Sequence, residues 1–516
     1  MLHRLVLAFA MIAVCSQISP APALQAQDGI LLHEDAFYAP RPAHASRAVS
    51  ATADRYTPSA YLAGSVAVRL VLPESETQVL GLQENWSEAE IARLERATHE
   101  AFAWWAARVP QAHVTFQIVT QVVPIEYEPI THSLSTEGRW IGAALTQLGF
   151  SGSDHFEQAY SANQALRREL ATDWATTIFI ANSAADADNQ FADGSFAYAY
   201  VNGPFTVLTS EAGGYGAGKL AHMLTHELGH IFGALDQYAA AGIPCTAASG
   251  YLAIAATNSQ ANSCGTHHHS IMWEPVSAFE QGAVDTSALG QVGYHDSDGD
   301  AIPDPLDTEP TLTVNLTPQL NQRPQITARA ADQPFKSPLQ RSISLNSIDR
   351  VEFRTNTSEW LVLPPGDGSY DTTEELIHTT LALYDGTHTV ELRAVNRVGT
   401  ASRIITQTIT ISGVGAAPVY NLVIPDSISA AAYSLQLDLP TNFDLRSSES
   451  AGMTTGNWHS VLLPVWGEAT SDHIILFLQL RDQTGLETPI HRRTIQLTPA
   501  PQPPTNIVIF VPLAVR

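Results

Sequence analysis

The sequence predicts a multidomain chain: an N-terminal α/β (α+β) domain followed by two β-sandwich modules. Three observations predict it. Strand-like and helix-like periodicities alternate from Tyr61 to about residue 218, the order in which mixed domains are built. After about residue 310 the helical patterns vanish, and strand-like runs recur at regular spacing between turn residues. The chain has 516 residues, which corresponds to about three domains at roughly 150 residues each.

Hydrophobic residues make up 45% and charged residues 15%, enough to bury a sizeable core and to exclude wholesale disorder. The net charge of −25 repels polyanions, so a nucleic-acid partner is not expected. Met1–Arg4 is a short basic start, Leu5–Val14 an apolar run too short to span a bilayer, and Ala21-Pro22-Ala23 and Leu24-Gln25-Ala26 supply small residues. Residues 1–26 therefore read as a secretory signal peptide. No later stretch is long and apolar enough for a transmembrane helix, so the expected destination is secreted and extracellular. Cys245 and Cys264 remain after the signal, and in an oxidising compartment the simplest inference is one disulfide. Closing that loop contributes about 3 kcal/mol.

The elements follow in order. Residues 27–60, rich in Ala, Pro and Arg, read as a leader, linker or propeptide. A first domain is expected over 61–290. Val66–Leu72 is its first strand. Ser87 with Glu90 forms a capping box, opening a helix with Ile91, Leu94, Thr98, Phe102 and Trp105 at helical spacing. Strands are predicted at Val114–Val119 and Thr176–Ala181, with a helix at Phe156–Leu170 between them. Short strands Phe196–Val201 and Phe205–Thr209 flank Asn202-Gly203-Pro204, and Gly213–Gly218 leads into a helix starting near Lys219. An acidic joint is expected over 291–310 and a sandwich over 311–413, with strands at Arg350–Arg354, Trp360–Leu363, His388–Val395 and Ile404–Ile411. Gly413–Pro418 reads as a linker. A second β-rich domain is expected over 419–516, with strands at Tyr433–Leu439, Val461–Trp466, Ile474–Leu480 and Arg493–Leu497. Beyond Pro499–Pro504, the apolar tail Ile507–Val515 reads as a last strand.

The informative segment is His226-Glu227-Leu228-Gly229-His230-Ile231-Phe232-Gly233-Ala234-Leu235-Asp236. His226 and His230 are four apart, so on a helix both imidazoles share one face and suit two ligands of one zinc. Glu227 falls beside the open coordination position, where it can take a proton from water. Gly233 can adopt positive φ and reverse the chain, which brings Asp236 within reach as a third ligand. His222 lies one turn earlier and is expected to pack or to support the site. His267, His268 and His269 are rival third ligands, and Glu274 or Glu280 weaker ones. Tyr238 lies near the segment with its role open.

This segment resembles the metzincin superfamily of zinc endopeptidases, and its Asp version is similar to snapalysin and immune-inhibitor-type bacterial proteases. Ser270-Ile271-Met272 resembles the Met-turn of that superfamily, with Met272 lying 36 residues after Asp236. The resemblance is specific over about 219–273 and only architectural over 61–218. It implies a metzincin-like catalytic domain and a zinc-dependent endopeptidase acting on protein or peptide substrates. Several members carry Tyr two residues after the Met as a hydrogen-bond donor; here Glu274 holds that place, so no such donor is assigned. Residues 27–60 contain no cysteine, which excludes latency through a cysteine–zinc bond.

A second metal signal is Asp296-Ser297-Asp298-Gly299-Asp300-Ala301-Ile302-Pro303-Asp304-Pro305-Leu306-Asp307. It resembles calcium loops of thrombospondin type 3 and dockerin-like segments. Asp296, Asp298, Asp300, the carbonyl of Ile302 and Asp307 are the expected Ca2+ ligands. Asp186, Asp188 and Asp193 form a looser acidic cluster. Asp385-Gly386 and the strand after it resemble a signature of bacterial Ig-like or fibronectin-like domains, with surface or polymer contact as the expected use. Against the peptidase stands a calcium-stabilised extracellular adhesin or binding protein with a structural or inactive metal site; the intact Glu227 argues against it.

Overall fold

The computed structural model describes residues 24–25, 31–32, 34–38, 55–76, 85–261, 264–265, 267–319, 321–338, 342–356, 360–381, 383–415, 427–429, 432–435, 443–448, 465–468, 473–482 and 490–498. The signal segment up to residue 23, most of the leader, residues 416–418 of the linker, Pro499–Pro504 and the tail Ile507–Val515 lie outside them. The chain divides into two compact units. One holds the leader strand, 55–108 and 115–292; the other holds 109–114 and everything from Gly293 onward.

The first unit is built on one six-stranded sheet: β1 (Glu34–Tyr38), β2 (Ser65–Ser75), β3 (Thr115–Ile125), β4 (Trp174–Ala181), β5 (Ala197–Val201) and β6 (Phe205–Thr209), ordered β1-β5-β6-β4-β2-β3. Strands β3, β2, β4 and β6 run parallel, β5 is antiparallel to β6, and β1 lies parallel on the outer edge of β5. Among the described residues six α-helices accompany it: α1 (Glu88–Ala106), α2 (Glu137–Gln147), α3 (His155–Glu169), α4 (Leu220–Ile231), α5 (Pro275–Gln281) and α6 (Thr286–Gln291). The expected capping box starts α1: the Ser87 hydroxyl accepts from the Glu90 amide, and the Glu90 carboxylate accepts from the Ser87 amide at 2.8 Å. Strand β4 is buried along its whole length, which requires cover on both faces of the sheet. Trp140, Ile141 and Leu145 of α2 and Ala159 and Ala162 of α3 close over Val71, Phe179 and Val207 on one face. On the other, α1 packs against α4, and α4 against β5 and β6.

Helix α2 is absent from the sequence prediction. The 3-10 turns Pro129–Thr131 and Leu134–Thr136 precede it, and they break the apolar period before one helical repeat accumulates.

The second unit contains β7 (Thr311–Gln319), β8 (Gln322–Ala331), β9 (Ile348–Thr355), β10 (Leu361–Val362), β11 (Glu374–Thr380), β12 (Gly386–Asn396) and β13 (Ile405–Ile411). Sheets β7-β8-β11 and β13-β12-β9-β10 enclose a shared core of Ile326, Val351, Phe353, Ile377, Leu392 and Ile409. Apolar side chains alternate inward on β8, as sandwich strands require, whereas β11 buries Glu375 and Ile377 and leaves Leu376 exposed. Strand β10 also pairs with Ile490–Thr498, which continues the sheet through His473–Asp482 and Phe443–Ser448. Strands from both expected modules, 311–413 and 419–516, thus belong to one sheet of one compact unit. Among the described residues no helix is long and apolar enough to cross a membrane.

Candidate metal centre

Helix α4 is buried throughout, and its two histidines stand one turn apart on one face. Their Nε2 atoms are 3.1 Å apart. The Nδ1 of His226 lies 2.8 Å from the carbonyl of Ile271, and the Nδ1 of His230 lies 2.8 Å from the carbonyl of Ala234. A carbonyl oxygen only accepts, so each Nδ1 carries the proton and each Nε2 presents a lone pair.

Gly233 ends the helix as its position requires, at φ +104°. The amide of Gly233 donates to the carbonyl of His230 at 2.9 Å and that of Ala234 to the carbonyl of Gly229 at 2.8 Å, the paired bonds of a Schellman cap. The same turn supplies the Ala234 carbonyl that orients His230, then delivers Asp236. The Asp236 Oδ1 lies 3.1 Å from the Nε2 of His226 and 3.2 Å from that of His230. All three residues are buried. Burial pushes the Asp236 carboxyl up, and positive charge at this point, on His230 and His226 or on an ion among the three, holds it well below the usual carboxylate range.

Three acceptor atoms in a buried triangle with 3.1–3.2 Å sides repel one another unless a cation or proton lies among them. Ligand atoms on a tetrahedral zinc stand roughly 3.3–3.4 Å apart, from bond lengths of about 2.0–2.1 Å. The side lengths and the His₂Asp donor chemistry therefore fit such an ion. Glu227, also buried, lies outside this donor set.

The Ser270–Trp273 segment packs against the helix. The Trp273 amide closes a turn onto the Ser270 carbonyl at 2.9 Å. A Cβ on Gly229 would come within 2.5 Å of the Met272 sulfur, so the thioether packs against α4 between the two histidines. Gln237 ties the third-ligand segment to this turn: its amide donates to the Met272 carbonyl at 2.9 Å. Its side chain donates to Asp285 at 2.5 Å and accepts from Asn258 at 2.9 Å. Asp285 also accepts from Ser270 at 2.9 Å and caps α6. Sequence reasoning missed Gln237, Asn258 and Asp285; of these, only Asp285 before Thr286 carried a local signal, that of an N-cap. Cys245 and Cys264 are joined, with Cα atoms 5.6 Å apart.

The rival ligands lie elsewhere. His267 contacts Gln260, and His268 is held through its backbone by Asn258. His269 sits 2.8 Å from Ser277 and 3.2 Å from Glu274. His222 stacks on Phe279 with ring centres 4.1 Å apart, and Glu280 pairs with Lys219. None of these joins the donor group of His226, His230 and Asp236. Asp186 and Asp188 accept backbone amides of their own turn, and Asp193 accepts from Leu134 and Ser195.

In the second unit Asp296, Asp298 and Asp300 each offer a carboxylate oxygen within 4.8 Å of the others. The two Asp296 oxygens accept the amides of Gly299 at 2.7 Å and Ala301 at 2.8 Å, which curls the loop. Asp307, another expected ligand, does not join that group. Burial, with Asp300, Asp298 and Asp304 nearby, raises the Asp307 carboxyl.

No family model and no curated protein matches the chain. Similar solved structures include the Clostridium thermocellum CbhA fibronectin(III)-like modules, at 11% identity over 39% of this chain and 100% of that one, with TM-score 0.15. Another is the FN1–FN3 domains of chicken CNTN1, at 10% identity over 38% and 70%, with TM-score 0.13. Overlaps at these scores define no shared fold.

Proposed function

We propose that the chain is a secreted zinc-dependent endopeptidase, metzincin-like and of the HExxHxxGxxD type, that hydrolyses peptide bonds of extracellular proteins. The observation that carries this reading is the convergence of the His226, His230 and Asp236 donor atoms at one buried point, with Glu227 on the same helix and free of the donor set. His226, His230 and Asp236 would hold the ion, which when bound supplies Lewis-acid polarisation of a carbonyl and lowers the pKa of water. Glu227 takes the proton from the attacking water and returns it to the leaving amine. Ile271 and Ala234 keep the imidazoles oriented through their carbonyls, and Met272 braces the helix from below. An extended substrate pairs with β5 along the outer edge that β1 holds in the full chain. In the second unit, Asp296, Asp298 and Asp300 bind Ca2+, and the β-rich modules serve contact with a surface or polymer.

Casein zymography of the secreted protein tests the reading. We expect a cleared band that a chelator abolishes and zinc restores. No clearing, or clearing indifferent to the chelator, overturns it, and a metal-loaded but inert chain would favour the adhesin.

A further inference from the structure

The second unit holds a cavity that neither candidate metal site uses. It measures about 600 Å³, within the range of about 300–1,000 Å³ typical of ligand pockets. Residues 308–312, which lead into β7, and 333–336, which follow β8, form two of its walls; Ser402, Arg403 and Ile405, at the start of β13, form the third. Strands β7 and β13 pack beside each other, and among the described residues each is the outermost strand of its own sheet. Their first residues, Thr311 and Leu312 on β7 and Ile405 on β13, reach the cavity. It therefore opens where two sheet edges meet, and a sheet edge presents backbone donors and acceptors to an extended chain.

The lining has two kinds of chemistry. Pro310, Leu312, Pro334, Phe335 and Ile405 make an apolar wall, and the adjoining Ile404 is 48% exposed. Lys336 and Arg403 bring two cations. Cations are scarce in this chain, with 26 Lys and Arg against 51 Asp and Glu, and Lys336 is one of only two lysines. The other, Lys219, is paired with Glu280, whereas the Lys336 ammonium has no ion pair or hydrogen bond among the described residues. Arg403 is almost fully exposed and stands 3.8 Å from Glu309, too far for a hydrogen bond. Glu309 is the one carboxylate among the described lining residues, so two positive charges there face one negative. The neighbouring Asp332 is buried, with its oxygens taken by Thr308 and Ser344.

We infer that this cavity binds a short extended peptide whose acidic side chains meet Lys336 and Arg403 and whose apolar side chains lie against Leu312, Phe335 and Ile405. The strand edges select an extended backbone, the cations select carboxylates, and the apolar wall supplies area to bury. Neither the metal nor Glu227 takes part. The inference narrows the surface or polymer contact proposed for the β-rich modules to a polypeptide, and it rests on that contact and not on the peptidase reading.

The test uses the full chain in the Glu227→Gln background, so that bound peptide is not cut. A fluorescein-labelled hexapeptide of alternating glutamate and valine is titrated by anisotropy. We expect saturable binding that weakens at least tenfold when glutamine replaces glutamate in the peptide. It should also weaken as NaCl rises from about 50 to about 500 mM, because exposed charges are screened. Lys336→Gln/Arg403→Gln should weaken binding at least tenfold; both side chains are exposed, and circular dichroism checks that the variant is folded. Arg329→Gln removes an equal charge outside the cavity, from an exposed arginine paired with Glu374, and should leave binding unchanged. Equal binding of the glutamate and glutamine peptides, binding that the double variant retains, or no saturable binding overturns the inference. An alginate oligosaccharide titrated in parallel separates it from the broader contact reading. If alginate binds through Lys336 and Arg403 and the peptide does not, the contact reading stands and the peptide inference falls.

Discussion

His226 and His230 reach their positions by different means, and the difference decides which residues the sequence discloses. Their shared face follows from four-residue spacing alone. Their orientation rests on the Ile271 and Ala234 carbonyls, and Ile271 lies on a segment distant in sequence, so no local pattern announces it. Asp236 was legible because Gly233 marks the turn, whereas the Gln237–Asp285 contact that steadies it links residues 48 apart. Two predictions belong here. Glu227→Gln should retain the metal and lower hydrolysis by about 10²–10⁴-fold, the usual worth of a positioned base; metal analysis beside peptide turnover checks it. Asp236→Ala should weaken zinc binding by more than about 100-fold, exceeding the effect of losing a residue that only supports a ligand. Single Ala variants of His267, His268 and His269 should bind zinc as the wild type does, measured by competition with a chromogenic chelator. A triplet variant that loses zinc while Asp236→Ala keeps it would assign the third ligand to the wrong residue.

Elements with a strong period of their own were readable, among them α1 with its capping box and the core strands β2 and β4. Helix α2 was hidden by two short turns. Strand β7 was missed although Leu312, Val314 and Leu316 alternate cleanly, whereas the buried positions of β8 and β11 include Pro324, Ala328, Ala330 and Glu375, too weakly apolar to stand out. The end of α4 offers a test of why its glycine is needed. A Cβ on Gly233 would come within 2.5 Å of the Gly250 Cα and 2.9 Å of the Asn202 side chain, whereas Gly242, at φ +65°, has nothing within 4 Å. Gly242→Ala should cost only the left-handed backbone strain, about 1–2 kcal/mol. Gly233→Ala should cost more, since backbone must also move, and should weaken zinc binding because Asp236 follows the turn. Denaturant melts and chelator competition on both variants separate strain from displacement; equal losses would show that the close approach to Gly250 does not matter. The acidic loop makes its own prediction. Added Ca2+ should slow amide exchange over residues 296–302 in wild type and not in Asp298→Asn/Asp300→Asn, and no change in the wild type would remove the proposed site.

At the scale of the whole molecule, the change in texture after residue 310 was legible, because sandwich strands recur at short spacing. The joining of β10 to Ile490–Thr498 was not: strands are readable at Trp360–Leu363 and Arg493–Leu497, but a two-residue ladder between partners more than a hundred residues apart leaves no local signal. The stability of the second unit carries a further consequence, centred on Asp332 at the end of β8. Its carboxylate accepts hydroxyls from Thr308 and Ser344, each at 2.6 Å, in a buried setting. Burial pushes its carboxyl up to about 6, and the bonds from Ser344 and Thr308 only partly oppose this. In the unfolded chain the group titrates near 3.9, so the folded unit binds this proton more tightly. The resulting stabilisation is complete below about pH 4 and is lost as the pH rises through about 6, with an upper bound of about 3 kcal/mol. Asp332→Asn keeps an acceptor and has no proton to lose. Between pH 4.5 and 7.5 the wild type should therefore lose about 2 kcal/mol of opening free energy that the variant retains. Hydrogen exchange of the β8 amides, corrected for the intrinsic pH dependence of exchange, reads that difference within the second unit alone. Parallel pH profiles for the two proteins would show that Asp332 stays ionised in the fold, with its hydroxyl partners outweighing its burial.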